Sequence, residues 1–169
     1  MAATDWRQAT VERIRPETPR AATITLAVPE WSGHRAGQHV DVRLTAEDGY
    51  QAQRRYSIAS APDDGPPQIT VVEVDMGEVS PWMVSVAREA DVFEVRGPFG
   101  GWFVWDPPAV GEVLMVGGGS GLVPLMSMLR AGTASRVYVC GPTAFVESVA
   151  NDLVALGHDP ANIRTERFG

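Results

Sequence analysis

Glu112-Val113-Leu114-Met115-Val116-Gly117-Gly118-Gly119-Ser120-Gly121 is an apolar run that ends in a cluster of glycines. An apolar stretch of this length without alternation suits a strand buried on both faces, as in a parallel sheet covered by helices. The glycines let the backbone turn tightly and approach a ligand closely. A helical stretch from Leu122 to Arg130 follows, and its N-terminus would offer free N–H groups and a positive dipole end to an anion. A glycine-rich loop alone is equally a flexible turn. The buried strand before it and the helix after it are what argue for ligand binding.

Toward the C-terminus, Arg136 to Cys140 reads as a second buried strand. Thr143 to Leu156 reads as a helix ended by Gly157, and Ile163 to Glu166 as a last short strand. This is a β-α-β-α-β order, a parallel sheet with right-handed crossovers. Cys140-Gly141-Pro142 falls at the C-terminal end of a strand, where ligands of open α/β sheets bind. The bland alternative for a lone cysteine is a small buried hydrophobe.

Toward the N-terminus, Asp106-Pro107-Pro108 reads as a linker, and the pattern changes. Asp5 to Ile14, Ala22 to Val28, His39 to Leu44, Arg54 to Ser60, Ile69 to Val74 and Asp91 to Arg96 are six short candidate strands, several of them alternating apolar and polar residues. Turn clusters at 30–33, 47–49 and 63–67 punctuate them. Strands at this spacing predict a closed antiparallel barrel. One helical segment, Ser80 to Ala87, interrupts them, with Ser80 suited to the N-cap and Pro81 to the first helical position. The chain thus divides into a barrel, residues 1–106, and a small α/β unit, residues 109–169.

Composition narrows the function. The 169 residues are 44% hydrophobic and carry a net charge of −7, which argues against a nucleic-acid footprint and a polybasic membrane anchor. No apolar run approaches the roughly 20 residues of a transmembrane helix, and the first ten residues lack the apolar stretch of a signal peptide, so a cytoplasmic location is expected. The single cysteine excludes an internal disulfide and any cluster built on several thiolates. His34, His39 and His158 are scattered, so no metal site is expected. All 14 basic residues are arginine. Without lysine, Schiff-base chemistry and a P-loop are excluded. Any phosphate must be held by arginine, hydroxyls, backbone N–H groups or a helix N-terminus.

Arg54-Arg55-Tyr56-Ser57 supplies such groups. Strand alternation sends Arg54 and Tyr56 to one side and Arg55 and Ser57 to the other. An arginine, a ring and a hydroxyl in this span suit a phosphate, a planar ligand and one hydrogen bond. By themselves they read first as a strand with a surface arginine and a core tyrosine.

Taken in order, Arg54-x-Tyr56-Ser57, Gly97-Pro98-Phe99-Gly100, Gly117-Gly118-Gly119-Ser120-Gly121, Cys140-Gly141-Pro142 and Glu166-Arg167-Phe168-Gly169 span nearly the whole chain. This set resembles the ferredoxin–NADP reductase-like flavoproteins, in particular the reductase components that feed oxygenases. The resemblance implies an FAD-binding barrel followed by an NAD(P)-binding α/β domain, with FAD rather than FMN. It implies that Arg54 holds the flavin pyrophosphate, that Tyr56 stacks on the isoalloxazine and that Ser57 lies near flavin N5. Glu73 and Val74 would line the ribityl and phosphate region, and Gly77, Val79 and Ser80 the turn that meets the phosphate. Gly117, Gly118, Gly119, Ser120 and Gly121 would meet the dinucleotide pyrophosphate. Ser120, Cys140, Gly141 and Pro142 would lie by the nicotinamide, and Glu166 and Phe168 would return to the flavin. Ser57, Cys140 and Glu166 are thus the candidate catalytic residues. The implied activity is an NAD(P)H oxidoreductase that passes electrons through the flavin to a ferredoxin or iron–sulfur protein. Such chemistry needs two reacting atoms held close and aligned rather than a strong acid or base.

The chain departs from the family where residues 131–135 lead straight from helix to strand, at a point where the family usually carries two further strands with their helices. Deleting them removes one sheet edge and leaves a connected remnant. The strand at 112–116 would become a bare edge and invite self-association or a partner that covers it. The shortening also supports an alternative, a flavin-binding redox-sensing or regulatory module without NAD(P)H activity.

Overall fold

The structure, a computed structural model, describes residues 5–101, 103–105, 115, 119–131 and 137–168, with the backbone path alone for 138–143 and 164–168. Strands β1 (Arg7–Thr18), β2 (Ala21–Ala27), β3 (His39–Thr45), β4 (Gln51–Ser57), β5 (Gln68–Val72) and β6 (Val92–Phe99) form one sheet in the order β4-β3-β6-β1-β2-β5. All its pairings are antiparallel. The ends of that order meet just past β4. Ile58 bridges Ile69 of β5, and the Ala59 N–H donates to the Gln68 carbonyl at 2.7 Å. The sheet therefore curls into the barrel that the strand spacing predicts.

Alternation explains the core. Ile24 and Leu26 of β2, Val40 and Val42 of β3, Ile69 and Val71 of β5, and Phe93 and Val95 of β6 all turn inward. Thr23 is buried although polar, because its Oγ1 donates to Glu17 and shares a 2.8 Å hydrogen bond with Thr70 directly across the β2–β5 pair. Element boundaries differ from the sequence reading at β4. A tight hairpin, closed by Ala46 N–H to Tyr50 O at 2.8 Å, starts β4 at Gln51 instead of Arg54. At the other end the chain leaves β3 after Ser57 to reach β5.

The helical segment expected at Ser80 to Ala87 is present, but its main part is a π-helical turn, Trp82–Val86, closed by Ala87 N–H to Trp82 O at 2.8 Å. Met83, fully buried, plugs the barrel from this turn together with Val79. The Ser80 hydroxyl is engaged by another donor: its Oγ accepts the Val74 N–H at 3.1 Å, and the Pro81 position has no side-chain cap.

The C-terminal half contains α1 (Leu122–Ala131), β7 (Val137–Pro142), α2 (Thr143–Ala155) and β8 (Ile163–Phe168). Strands β7 and β8 pair in parallel, from Val137 opposite Ile163 to Pro142 opposite Phe168. Gly157 ends α2 with φ +90°, and the His158 N–H returns to the Leu153 carbonyl at 3.0 Å. The apolar face of α2 and β7 is formed by Val137, Val146, Val149 and Leu153. The strand expected at Glu112 to Val116, its bare edge and the self-association drawn from it lie outside the described residues, except for Met115, which packs against both C-terminal apolar clusters. The linker expected at Asp106-Pro107-Pro108 also lies outside them.

Helix α1 docks on the barrel. Leu125 and Met128 pack with Ala36, and Trp105 and Leu122 border them. Gly37 permits the approach. Its φ is +93°, and a Cβ there would lie 2.1 Å from the Phe103 carbonyl oxygen and 2.5 Å from Met128 Cε. Among the described residues, no helix is long and apolar enough to cross a membrane.

Candidate functional site

A cleft of about 480 Å³ opens where the end of β4, the 73–80 loop and the first turn of α1 meet. That volume lies within the ~300–1,000 Å³ of small-molecule sites. Strand β4 explains its position: over Gln51–Ser57 it pairs with β3 alone, so its second edge is free. Arg54, Arg55, Tyr56 and Ser57 all line the cleft, although alternation separates them into two pairs. A strand bordering the cleft by its free edge contributes from both faces.

The β4 wall of the cleft carries two arginines, and the 73–80 loop facing it carries Asp75 and Glu78. Arg54 Nη2 pairs with Glu78 at 3.1 Å, and Nη1 donates to the Gln53 carbonyl at 2.7 Å. Tyr50 donates its hydroxyl to the other Glu78 oxygen at 2.5 Å. Arg55 Nε lies 3.5 Å from Asp41, and Arg96 Nη2 lies 3.0 Å from the second oxygen of that carboxylate. One buried carboxylate thus serves two guanidiniums, and Arg55 is 69% exposed toward solvent. Burial pushes the Tyr56 hydroxyl up to about 12, with Arg54 opposing, so the ring is neutral at ordinary pH. His39, opposite Ser57 in the β3–β4 register, is held below its usual value by burial and then by Arg55, against Asp41.

The 73–80 loop is pulled tight. Ser80 Oγ accepts from Val74, and the Gly77 N–H donates to the Val74 carbonyl at 3.0 Å. A Cβ on Gly77 would lie 2.9 Å from that carbonyl and 3.1 Å from Ser80 Oγ, so the turn excludes a side chain at this position. Val74, Gly77, Val79 and Ser80 face the cleft. Glu73 does not. Its carboxylate accepts the Ser85 hydroxyl at 3.0 Å and its N–H pairs with Arg20, because the loop reverses direction after it. Glu73 thus borders the cleft through its neighbour Val74 and is not part of the lining itself.

Across the cleft, Gly119–Gly121 form a single 3₁₀ turn at the start of α1, from which Ser120 and, one turn on, Val123 reach the cleft. Gly119 and Gly121 are exposed in that turn, and Gly117 and Gly118 lie outside the described residues. Cys140, Gly141 and Pro142 occupy the C-terminal end of β7, with Glu166 opposite Cys140 and Phe168 opposite Pro142 on β8. The backbone register brings these five into one patch of two parallel strands.

Sequence reasoning missed Thr70, Val72, Asp75, Met76, Glu78 and Val123 as cleft residues. Glu78 had a signal, an acidic residue in the loop expected to face Arg54. The others had none, since pairing of β5 with β2 and the docking of α1 place them. A larger concavity of about 680 Å³, lined among others by Arg43, Trp82, Phe93 and Glu94, shares Glu78 with the cleft but holds none of the motif residues. Arg43 and Glu94 are closed on each other there at 2.7 Å. The chemistry, not the volume, selects the smaller cleft.

A family model described as the oxidoreductase FAD-binding domain matches residues 10–104. The chain belongs to that family, the group of ferredoxin–NADP reductase-like flavoproteins. Ferredoxin–NADP reductase B of Sorangium cellulosum (strain So ce56) is 36% identical over 138 residues, which is 78% of this chain and 55% of that protein. The ferredoxin reductase component of 3-ketosteroid-9-alpha-monooxygenase from Rhodococcus rhodochrous is 30% identical over 128 residues, 72% of this chain and 36% of that protein. The chain thus spans about half, or less, of the length of these relatives. The crystal structure of a ferredoxin NADP⁺ reductase from Neisseria gonorrhoeae with bound FAD and NADP shares the fold, with a TM-score of 0.74 at 20% identity over 96% of this chain and 67% of that one.

Proposed function

We propose that this chain binds FAD in the cleft and, as an NAD(P)H oxidoreductase, passes electrons through the flavin to a one-electron acceptor protein such as a ferredoxin. The observation that carries the reading is one cleft lined by Arg54, Tyr56 and Ser57 on one wall, the tight 74–80 loop beneath, and Ser120 opposite. The donor set suits the group. Arg54 and Arg55 supply charge for a pyrophosphate, Tyr56 offers a neutral ring face, and Gly77 lets the loop beneath the cleft close on Val74 and Ser80. Bound FAD would supply two-electron uptake and one-electron release. Arg54 would exchange its solvent-exposed pair with Glu78 for the pyrophosphate. Ser57 and Ser120, on opposite walls, would hold the two ring systems in register, and the paired strand positions Cys140 and Glu166 would belong to the nicotinamide side.

We divide the chain functionally into a flavin unit, residues 1–106, and a nicotinamide unit, residues 109–169. For the acceptor, the outer face beside the cleft carries Arg55 and Arg96 over the single carboxylate of Asp41, a local positive excess on a chain of net charge −7. That suits an acidic partner. A cytoplasmic setting fits a supply of reduced coenzyme.

An anaerobic absorption titration with NADH and, in parallel, NADPH tests the reading. A flavin spectrum bleached by either coenzyme is the expected outcome and gives the coenzyme preference. A yellow protein bleached by dithionite alone would leave a flavin-binding module without nicotinamide activity. A colourless protein that FAD does not reconstitute would overturn the reading altogether.

A further inference from the structure

The Ser60 carbonyl is fully buried where the barrel meets α1, and two side chains converge on it. Ser127 of α1, with no exposure, donates its hydroxyl at 2.5 Å, and His34 Nε2 lies at 3.0 Å. A carbonyl only accepts, so His34 carries its proton on Nε2. Its Nδ1 is buried with no hydrogen-bond partner. Ser60 itself is fixed to the barrel: its Oγ accepts the Gln68 N–H at 3.1 Å, while Ile58 N–H binds Gln38 O at 2.9 Å. This segment continues directly from Ser57, and Ser127 lies on the helix whose first turn presents Ser120. The short Ser127 bond therefore ties the two walls of the cleft together, with a longer one from Arg130 Nη1 to the neighbouring Ala59 carbonyl at 3.5 Å beside it. The surrounding contacts of Leu125 and Met128 with Ala36 are apolar and non-directional, so they hold α1 against the barrel without fixing its position along it.

We propose that Ser127 is a positioning residue: its grip on the Ser60 carbonyl, with His34 holding that carbonyl from the other side, sets the separation of Ser57 and Ser120 and so the alignment of coenzyme with flavin. The inference rests on the functional reading above. It is chemically pointed, because alanine at this buried helical position would have better intrinsic helix propensity and no polar group to satisfy.

Ser127→Ala and Ser127→Thr in the full chain test it. FAD affinity, coenzyme half-saturation and the limiting rate of flavin bleaching are measured by stopped flow, and amide exchange is followed over 119–131. Ser127→Ala is expected to keep FAD affinity, to lower the limiting rate about tenfold and to speed exchange at 119–123. Ser127→Thr, which retains the hydroxyl, is expected to restore both. A Ser127→Ala limiting rate within about twofold of the parent, with unchanged exchange, would overturn the inference. So would equal loss of flavin affinity and rate in both variants, the mark of a general packing defect. If the parent binds flavin but neither coenzyme bleaches it, the functional reading fails by itself. The exchange at 119–123 then still decides whether Ser127 couples the walls.

Discussion

The barrel and the C-terminal half hold themselves together differently. Among the described residues, the barrel buries one continuous apolar cluster drawn from all six of its strands plus Val79 and Met83. The C-terminal half has two small clusters, and one of them is completed by Ala36 of the barrel. Of the largest fully buried side chains among the described residues, Leu153 is the one outside the barrel. The wall that carries Arg54, Tyr56 and Ser57 is therefore built on a self-sufficient core. The wall that carries Ser120 depends on a junction.

The largest expected effect breaks the first region. Ile24 is fully buried at the centre of the barrel cluster, and Ile24→Ala should cost about 2–5 kcal/mol, with loss of bound flavin on mild heating. Leu153→Ala removes comparable buried volume from the C-terminal cluster. It is expected to slow bleaching by NAD(P)H while the protein stays yellow. Thermal unfolding followed in parallel by flavin absorbance and by far-ultraviolet circular dichroism separates the two outcomes. If Leu153→Ala releases flavin as readily as Ile24→Ala, the two regions are one cooperative unit and the contrast is void.

Gly37→Ala attacks the junction. The new methyl would meet the Phe103 carbonyl at 2.1 Å on a backbone with φ +93°, so α1 or the 103 segment must shift. A destabilisation of about 1–3 kcal/mol is expected, with flavin binding less affected than coenzyme binding. The same pair of affinity titrations would show the opposite ordering if the junction supported the flavin wall instead.

Arg54→Gln sharpens the contrast from the barrel side. Loss of a charge-assisted hydrogen bond to a phosphate group is worth about 1.5–3 kcal/mol, or roughly ten- to a hundredfold in the dissociation constant of FAD. Because the Arg54–Glu78 pair is solvent-exposed, stability of the flavin-free protein should barely change. Fluorescence titration with FAD measures the first and chemical denaturation the second.

Much of this was legible in the sequence, for a physical reason. Antiparallel strands with one face inward leave an alternating imprint, so the six barrel strands could be placed to within a few residues. Their ends could not. The start of β4 depends on a hairpin closed by Ala46 and Tyr50, and its end on the bridge from Ile58 to Ile69, a pairing between distant segments. The cleft was legible as motif residues but not as a lining. Arg55 reaches it because β4 has a free edge, and Glu73 leaves it because the loop turns away toward Arg20 and Ser85. Ser80 shows the same limit. A serine before a proline at a helix start reads as a cap, yet here the hydroxyl binds the Val74 N–H, since the loop brings that donor nearer.

The smallest expected effects are electrostatic, and they separate the cleft rim from the rest of the barrel by pH. His39 is held below 6.5 by burial and Arg55, and Glu94 below 4.5 by its hydrogen bonds from Arg43. In both cases the folded protein binds the proton less readily than the unfolded chain. Each therefore contributes stability that is present above the unfolded value and lost as pH falls through the folded one. The His39 contribution begins to fade below about pH 6.5 and the Glu94 contribution below about pH 4.5. Denaturation midpoints of the flavin-free protein between those limits should slope downward with falling pH, and His39→Gln should flatten that slope while Arg43→Gln leaves it. Because Arg55 is, after burial, the second cause of the His39 shift and lines the cleft, bound FAD that draws Arg55 away should raise the His39 value and weaken the slope in part. An identical slope with and without flavin would mean that Arg55 stays on Asp41 in the loaded protein. The pyrophosphate charge would then fall to Arg54 alone.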